Sequence, residues 1–240
     1  QFVDLYLCGE YRGTYQISDQ VQIGDKRIPI DSNNGWFLEA VTETNAKEEP
    51  YFQISGNTYC INIKNPEDVY LTDAKKEEIK DYCQKAYYDK VLFNDYNDNY
   101  TPSTGYRAYW EEKDLVDYYV ATELIGNYDA FISCYAYKED GSDKLHMGPL
   151  WDQDIAFGNN NVYNENSGFV KDWGKYKYSI YSYIMKDARF AEQSYLRWKE
   201  IYDRGIVSHL TNRIDELAGL LEQSQQKNYA LGNNNSYGFN

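Results

Sequence analysis

The chain has 240 residues, 42% of them hydrophobic, enough to bury a full core in one large domain or two small ones. No apolar run approaches the roughly 20 residues that a membrane-crossing helix needs, and a formal charge of -14 at pH 7 argues against an exposed basic surface for nucleic acid. An anionic ligand would have to arrive with a cation or meet a local basic group.

The 27 tyrosines, with many Asn and Asp, fit an extracellular or cell-surface protein, because amphipathic rings tolerate half-exposed positions. Cys8, Cys60, Cys83 and Cys134 show no C-x-x-C spacing, which points to buried free thiols rather than a zinc site or a disulfide framework. Asn99-Tyr100-Thr101 and Asn234-Asn235-Ser236 are formal glycosylation sequons of the kind that arise often by chance. The chain opens in strand-like alternation without an initiator Met or signal peptide, and reads as a piece of a longer polypeptide.

In chain order, residues 2–7 predict a strand, residues 9–13 a turn, and residues 14–21 a second strand completing a hairpin. Gly24-Asp25 marks another turn, and residues 36–41 and 58–64 are further strands, so the first quarter reads as antiparallel sheet. Helical spacing follows: Thr72 is an N-cap, with Ile79, Tyr82, Cys83, Ala86 and Tyr87 on one face. After a polar loop over residues 93–106, a helix begins at Asp114 and ends at Gly126-Asn127. Residues 130–138 predict a strand, Asp140-Gly141 a hairpin turn, and residues 145–150 the returning strand. Residues 159–168 read as an Asn-rich loop. From residue 178 the chain is mostly helical, with Ile206, Leu210, Ile214, Leu217 and Leu221 on one face of a long amphipathic helix before an unstructured tail from residue 232. Neither an internal repeat nor a long linker divides the chain.

The chemistry concentrates in Gly148-Pro149-Leu150-Trp151-Asp152-Gln153-Asp154-Ile155-Ala156-Phe157-Gly158. If residues 150–154 are extended, Asp152 and Asp154 point to one face and could hold a hard divalent ion such as Mg2+. The same residues also suit an Asx-rich turn whose carboxylates cap backbone N–H groups. Asn127-Tyr128-Asp129 precedes one strand of the predicted hairpin and Asp152 follows the other, so three carboxylates and one amide should converge. Phosphoryl-transfer enzymes use such a set, one Asp orienting the attacking hydroxyl and another holding the metal on the nucleotide phosphates. Other groups carry less. His146 and His209 do not form a ligand pair, Ser133 lacks a visible His partner, and Lys26 and Arg27 read as a solvated turn.

Three segments in order, residues 5–15 (Leu-Tyr-Leu-Cys-Gly-Glu-Tyr-Arg-Gly-Thr-Tyr), residues 123–129 (Glu-Leu-Ile-Gly-Asn-Tyr-Asp) and residues 148–158, closely resemble the CotH family of spore-coat protein kinases, as does Arg197-Trp198 near the end. The resemblance spans nearly the whole chain. It implies an α+β, atypical protein-kinase-like fold over residues 1–240, with an N-terminal antiparallel sheet, a mostly helical lobe and a catalytic β-hairpin. It also implies transfer of phosphate from ATP, with Mg2+ or Mn2+, to Ser or Thr of a protein. By motif, Asp129 is the catalytic aspartate, Asn127 its support, and Asp152 and Asp154 the metal ligands. The family's lysine that contacts ATP lies on an upstream strand, and this chain is expected to start after it. Cys8 stands where the family has Asn, Asp19 where Glu is expected, and Gln153 where an aromatic is usual. A catalytically inactive pseudokinase or surface-binding module, and metal-dependent hydrolysis, are the alternatives.

Overall fold

The computed structural model describes residues 1–46, 50–92, 105–127, 129–159, 169–170 and 179–232. Strand β1 (Phe2–Leu7) pairs antiparallel with β2 (Glu10–Gln16), and the reversal between them is tighter than the sequence suggests. Cys8 and Gly9 alone make it, both at positive φ (53° and 82°), the backbone twist that two-residue hairpin turns require. Residues 10–13 therefore join the strand, and β2 ends at Gln16 rather than at residue 21. Cys8 at this tip is exposed, contrary to the expected burial, whereas Cys60, Cys83 and Cys134 are buried free thiols.

The second sheet is antiparallel throughout and has five strands in the order β4-β5-β3-β6-β7. They are β3 (Trp36–Thr42), β4 (Tyr51–Gln53), β5 (Tyr59–Asn65), β6 (Cys134–Lys138) and β7 (His146–Met147). β4 gave no sequence signal. Residues 130–133 turn instead of extending, so β6 is shorter than predicted, and Gly148 at φ 124° followed by Pro149 stops β7 after two residues.

Period-two alternation gives this sheet two unlike faces. Trp36, Leu38, Ala40, Ile61, Ile63 and Ala136 enter the main core. The opposite face carries Phe37, Glu39, Asn62 and Tyr135, and Phe37 and Tyr135 pack with Ile28 and Ile30.

Helix α1 (Asp73–Gln84) begins at Thr72 as predicted, whose hydroxyl accepts the Lys75 N–H at 3.2 Å. It continues through a wider turn over Lys85–Asp89. Helix α2 (Glu112–Ile125) starts two residues before Asp114 and ends where expected, at Gly126 in the left-handed conformation (φ 67°). Both helices, with α3 (Tyr181–Ile184) and α4 (Ala188–Asp203), contribute to the main core.

The long helix α5 (Ile206–Ala230) forms as predicted, yet its apolar stripe buries no residue. It holds the β1–β2 hairpin instead: Tyr11 Oη donates to the Ser224 carbonyl at 3.3 Å and the Thr14 N–H to Asn228 Oδ1 at 3.1 Å. Most of the predicted loops over 93–106 and 159–168, both sequons and the tail beyond residue 232 lie outside the described residues. The architecture is α+β, and no helix among the described residues is long and apolar enough to cross a membrane.

The central strand and the last helix should differ sharply in their sensitivity to truncation. Leu38→Ala, at a fully buried position, is expected to cost about 2–5 kcal/mol. Leu220→Ala, 69% exposed, should stay within about 0.5 kcal/mol. Urea unfolding of the two variants measures the contrast.

Candidate functional site

The site is built where α2 ends. Gly126 closes the helix, and the next residue, Asn127, has no exposed surface. Its side-chain oxygen accepts the Asp129 N–H at 2.9 Å. Its amide nitrogen donates to the Asp152 carbonyl at 3.1 Å and to Gln153 Oε1 at 2.9 Å. One buried amide thus fastens the segment carrying Asp129 to the segment carrying Asp152 and Asp154.

Each segment is anchored from behind. Tyr118 Oη donates to the Ala130 carbonyl at 2.6 Å and Tyr59 Oη to the Phe131 carbonyl, just after Asp129. Burial pushes both phenols well above their ordinary pKa, so they remain neutral donors. On the other side, the Gly148 N–H donates to the Tyr135 carbonyl at 2.9 Å, the Phe157 N–H to the Ile125 carbonyl at 2.7 Å, and Asn159 Nδ2 to the Asp154 carbonyl at 2.6 Å. Asp154 and Asp129 both come within electrostatic reach of Asp152, but not by an extended D-x-D. Asp152 sits at φ 53° and Asp154 begins a turn, so period-two alternation does not apply here. Gln153, where the resembled family has an aromatic, accepts the bond from Asn127 and so supports the site.

Charge crowding accompanies this geometry. Burial raises the Asp152 carboxyl above its ordinary pKa, reinforced by the charge of Asp154, a hydrogen bond with it and the charge of Asp129. Among the described residues no three His, Cys, Asp or Glu side chains are grouped so as to hold a metal ion unaided. The donor set nevertheless fits Mg2+, which is usually held by one or two carboxylates together with substrate phosphates and water.

Two residues that sequence reasoning passed over form an ion pair on the five-stranded sheet. Glu39 on β3 is 9% exposed, and Lys64 Nζ approaches its Oε2 to 3.3 Å. Asn62 Nδ2 and Ser133 Oγ also donate to this carboxylate, at 3.4 and 3.2 Å. Lys64 is the extra residue of a bulge, since Phe37 pairs with Asn65 and Leu38 with Ile63; bulges often re-aim a side chain beside a site. The Tyr135 phenol lies within electrostatic reach of Glu39, Lys64 and Asp152. A charged pair inside a strand pattern was the available signal.

His146, Arg27 and Arg197 have structural partners. His146 Nδ1 pairs with Asp114 at 2.6 Å, and Arg27 Nε with Asp19 at 3.0 Å. Arg197 bonds Asp117 at 2.6 Å and Glu200 at 2.7 Å. A groove of about 410 Å³ between α2 and α4 is lined by Glu111, Lys113, Arg189 and Arg197, and does not reach the aspartates.

The family described as CotH kinase protein matches residues 1–237. No curated protein matches the chain.

Replacing Asp152 by Asn, which tolerates the left-handed backbone, should raise the melting temperature of metal-free protein at pH 7. A carboxyl whose pKa is raised by folding loses stability as pH climbs from the unfolded value through the folded one, so at neutral pH the whole penalty is present. The same substitution should abolish any rise in melting temperature on adding Mg2+. Equal melting temperatures without metal would contradict the crowding.

Proposed function

The chain belongs to the CotH family, and from that premise we propose that it is an atypical protein kinase transferring the γ-phosphoryl group of ATP to a Ser or Thr hydroxyl of a protein. The observation that carries this reading is the double attachment of Asn127, which holds Asp129 and the Asp152 loop to one buried amide. Phosphoryl transfer asks a protein mainly to position its reactants and stabilise charge, and a rigid junction between two acidic segments suits that demand.

In this reading Asp129 accepts a hydrogen bond from the acceptor hydroxyl, orients it and receives its proton as the oxygen bonds to the γ-phosphorus and the bond to the bridging oxygen breaks, releasing ADP. Asn127 keeps Asp129 and Asp152 in register. Asp152 and Asp154 would hold the divalent ion, Mg2+ or Mn2+, whose chemistry is to neutralise charge on the ATP phosphates. Lys64, aimed by Glu39, supplies the nearby cation that an anionic ligand of a chain with charge -14 requires. The kinase-like domain would take in residues 1–240, and the acidic, tyrosine-rich composition suits a secreted or surface setting.

Incubation with labelled ATP and Mg2+ tests the assignment. Asp129→Asn should lower transfer by about 100-fold or more, with the melting temperature little changed, and Lys64→Met should weaken ATP binding. Undiminished transfer in Asp129→Asn removes that aspartate from the chemistry. No calorimetric ATP binding and no transfer in the unaltered protein would favour a pseudokinase or binding module.

A further inference from the structure

A groove of about 430 Å³ runs beside the stems of both acidic segments. Its apolar wall comes from Val120 and Leu124 on α2, Met147 at the end of β7, Pro149 and Leu150 on the segment leading to Asp152, and Ile206 at the start of α5. Leu150 is 44% exposed and stands two residues before Asp152, so the groove reaches within about 7 Å of that aspartate along the chain. Tyr118 also lines it, and its hydroxyl donates to the Ala130 carbonyl at 2.6 Å, one residue after Asp129. The cavity is thus tied covalently to one acidic segment and by a hydrogen bond to the other.

The charges on this wall already have partners. Arg197 bonds Asp117 Oδ1 at 2.6 Å, Lys113 bonds Asp117 Oδ2 at 2.7 Å, and Asp114 holds His146 at 2.6 Å. An incoming charge would lose hydration there without gaining a partner, whereas an aliphatic or aromatic side chain would be drawn out of water by the wall. We propose that the groove holds a large apolar side chain of the acceptor protein, a few residues from the Ser or Thr that receives phosphate. This rests on the kinase reading, which requires a polypeptide to approach Asp129, and the groove is continuous with the segments carrying Asp129 and Asp152. An extended polypeptide advances about 3.3 Å per residue, so an acceptor laid along residues 147–152 passes from groove to carboxylates within a few residues. The side chain seated in the groove fixes the acceptor's register, and with it which hydroxyl meets Asp129.

Ser- and Thr-centred peptide libraries, varied one position at a time on either side of the hydroxyl and incubated with labelled ATP and Mg2+, read the preference. We expect Leu, Ile, Met or Phe to be favoured about tenfold over Asp or Lys at one position within about five residues of the hydroxyl. Ile206→Asp places a carboxylate in the wall on the α5 side, away from Asp152. It should shift the preference at that same position toward Lys or Arg, with the ATP dissociation constant from calorimetry within about twofold. A general structural fault would instead lower transfer to all peptides alike and shift nothing, and that result overturns the proposal.

Leu150→Ser trims the rim without adding charge and gives a second arm. It should reduce the apolar preference several-fold at that position and leave the other positions unchanged. A preference that survives both substitutions belongs to another surface and overturns the inference. An unaltered protein that neither binds ATP nor phosphorylates itself or any peptide removes the kinase reading and this proposal with it. Autophosphorylation together with a peptide profile that shows no apolar preference removes this proposal alone.

Discussion

A single buried side-chain amide holds the site together. Asn127 has one acceptor and two donor hydrogens, and all three find partners: the Asp129 N–H, the Asp152 carbonyl and Gln153. A buried amide left unpaired would cost on the order of 1–3 kcal/mol per group, so the two acidic segments and the amide stabilise one another's positions. The tyrosine clamps behind Asp129 and the Phe157 bond to the end of α2 tie the same junction to helix and sheet. Side chains held from several directions lose little further freedom when a substrate arrives, which is what positioning chemistry needs.

The second determinant is the division of labour between the faces of the five-stranded sheet. One face is mainly apolar and packs under the helices, fixing the relative placement of β3, β5 and β6. Because those strands cannot shift, the other face can carry a buried carboxylate and a lysine without their drifting apart. The acidic loop, which repels itself, meets this face through the edge-on contact of Trp151 with Tyr135. Electrostatic frustration of this kind is costly to the fold and useful at a site that binds a cation and an anion together.

Much of this was readable in order along the chain. Thr72, Gly126 and Asp140-Gly141 punctuate their elements because capping and turn formation are local, and the strands at 36–41 and 58–64 follow from short-range patterning. That Asp129 comes within electrostatic reach of Asp152 was also legible, since a hairpin joins its own ends. Less legible was how the aspartates meet: Asp152 adopts a left-handed backbone held by Asn127, a contact across 25 residues that no alternation rule contains. The α5 stripe misled in another way. Its period announced burial, but burial needs a partner, and among the described residues it is the β1–β2 hairpin that meets it near Ser224 and Asn228.

The sequence alone therefore determined the α+β class, most element boundaries to within a few residues, the acidic motif and the CotH resemblance, because these rest on interactions among near neighbours in the chain. Only the tertiary structure decided that Glu39 and Lys64 pair, that Asn127 bonds both the Asp129 N–H and the Asp152 carbonyl, and that Gln153 supports Asn127. Those contacts, the bond to Asp129 apart, join residues separated by tens of positions. Their partners are chosen by strand order, register and a bulge, which emerge only once the core has packed.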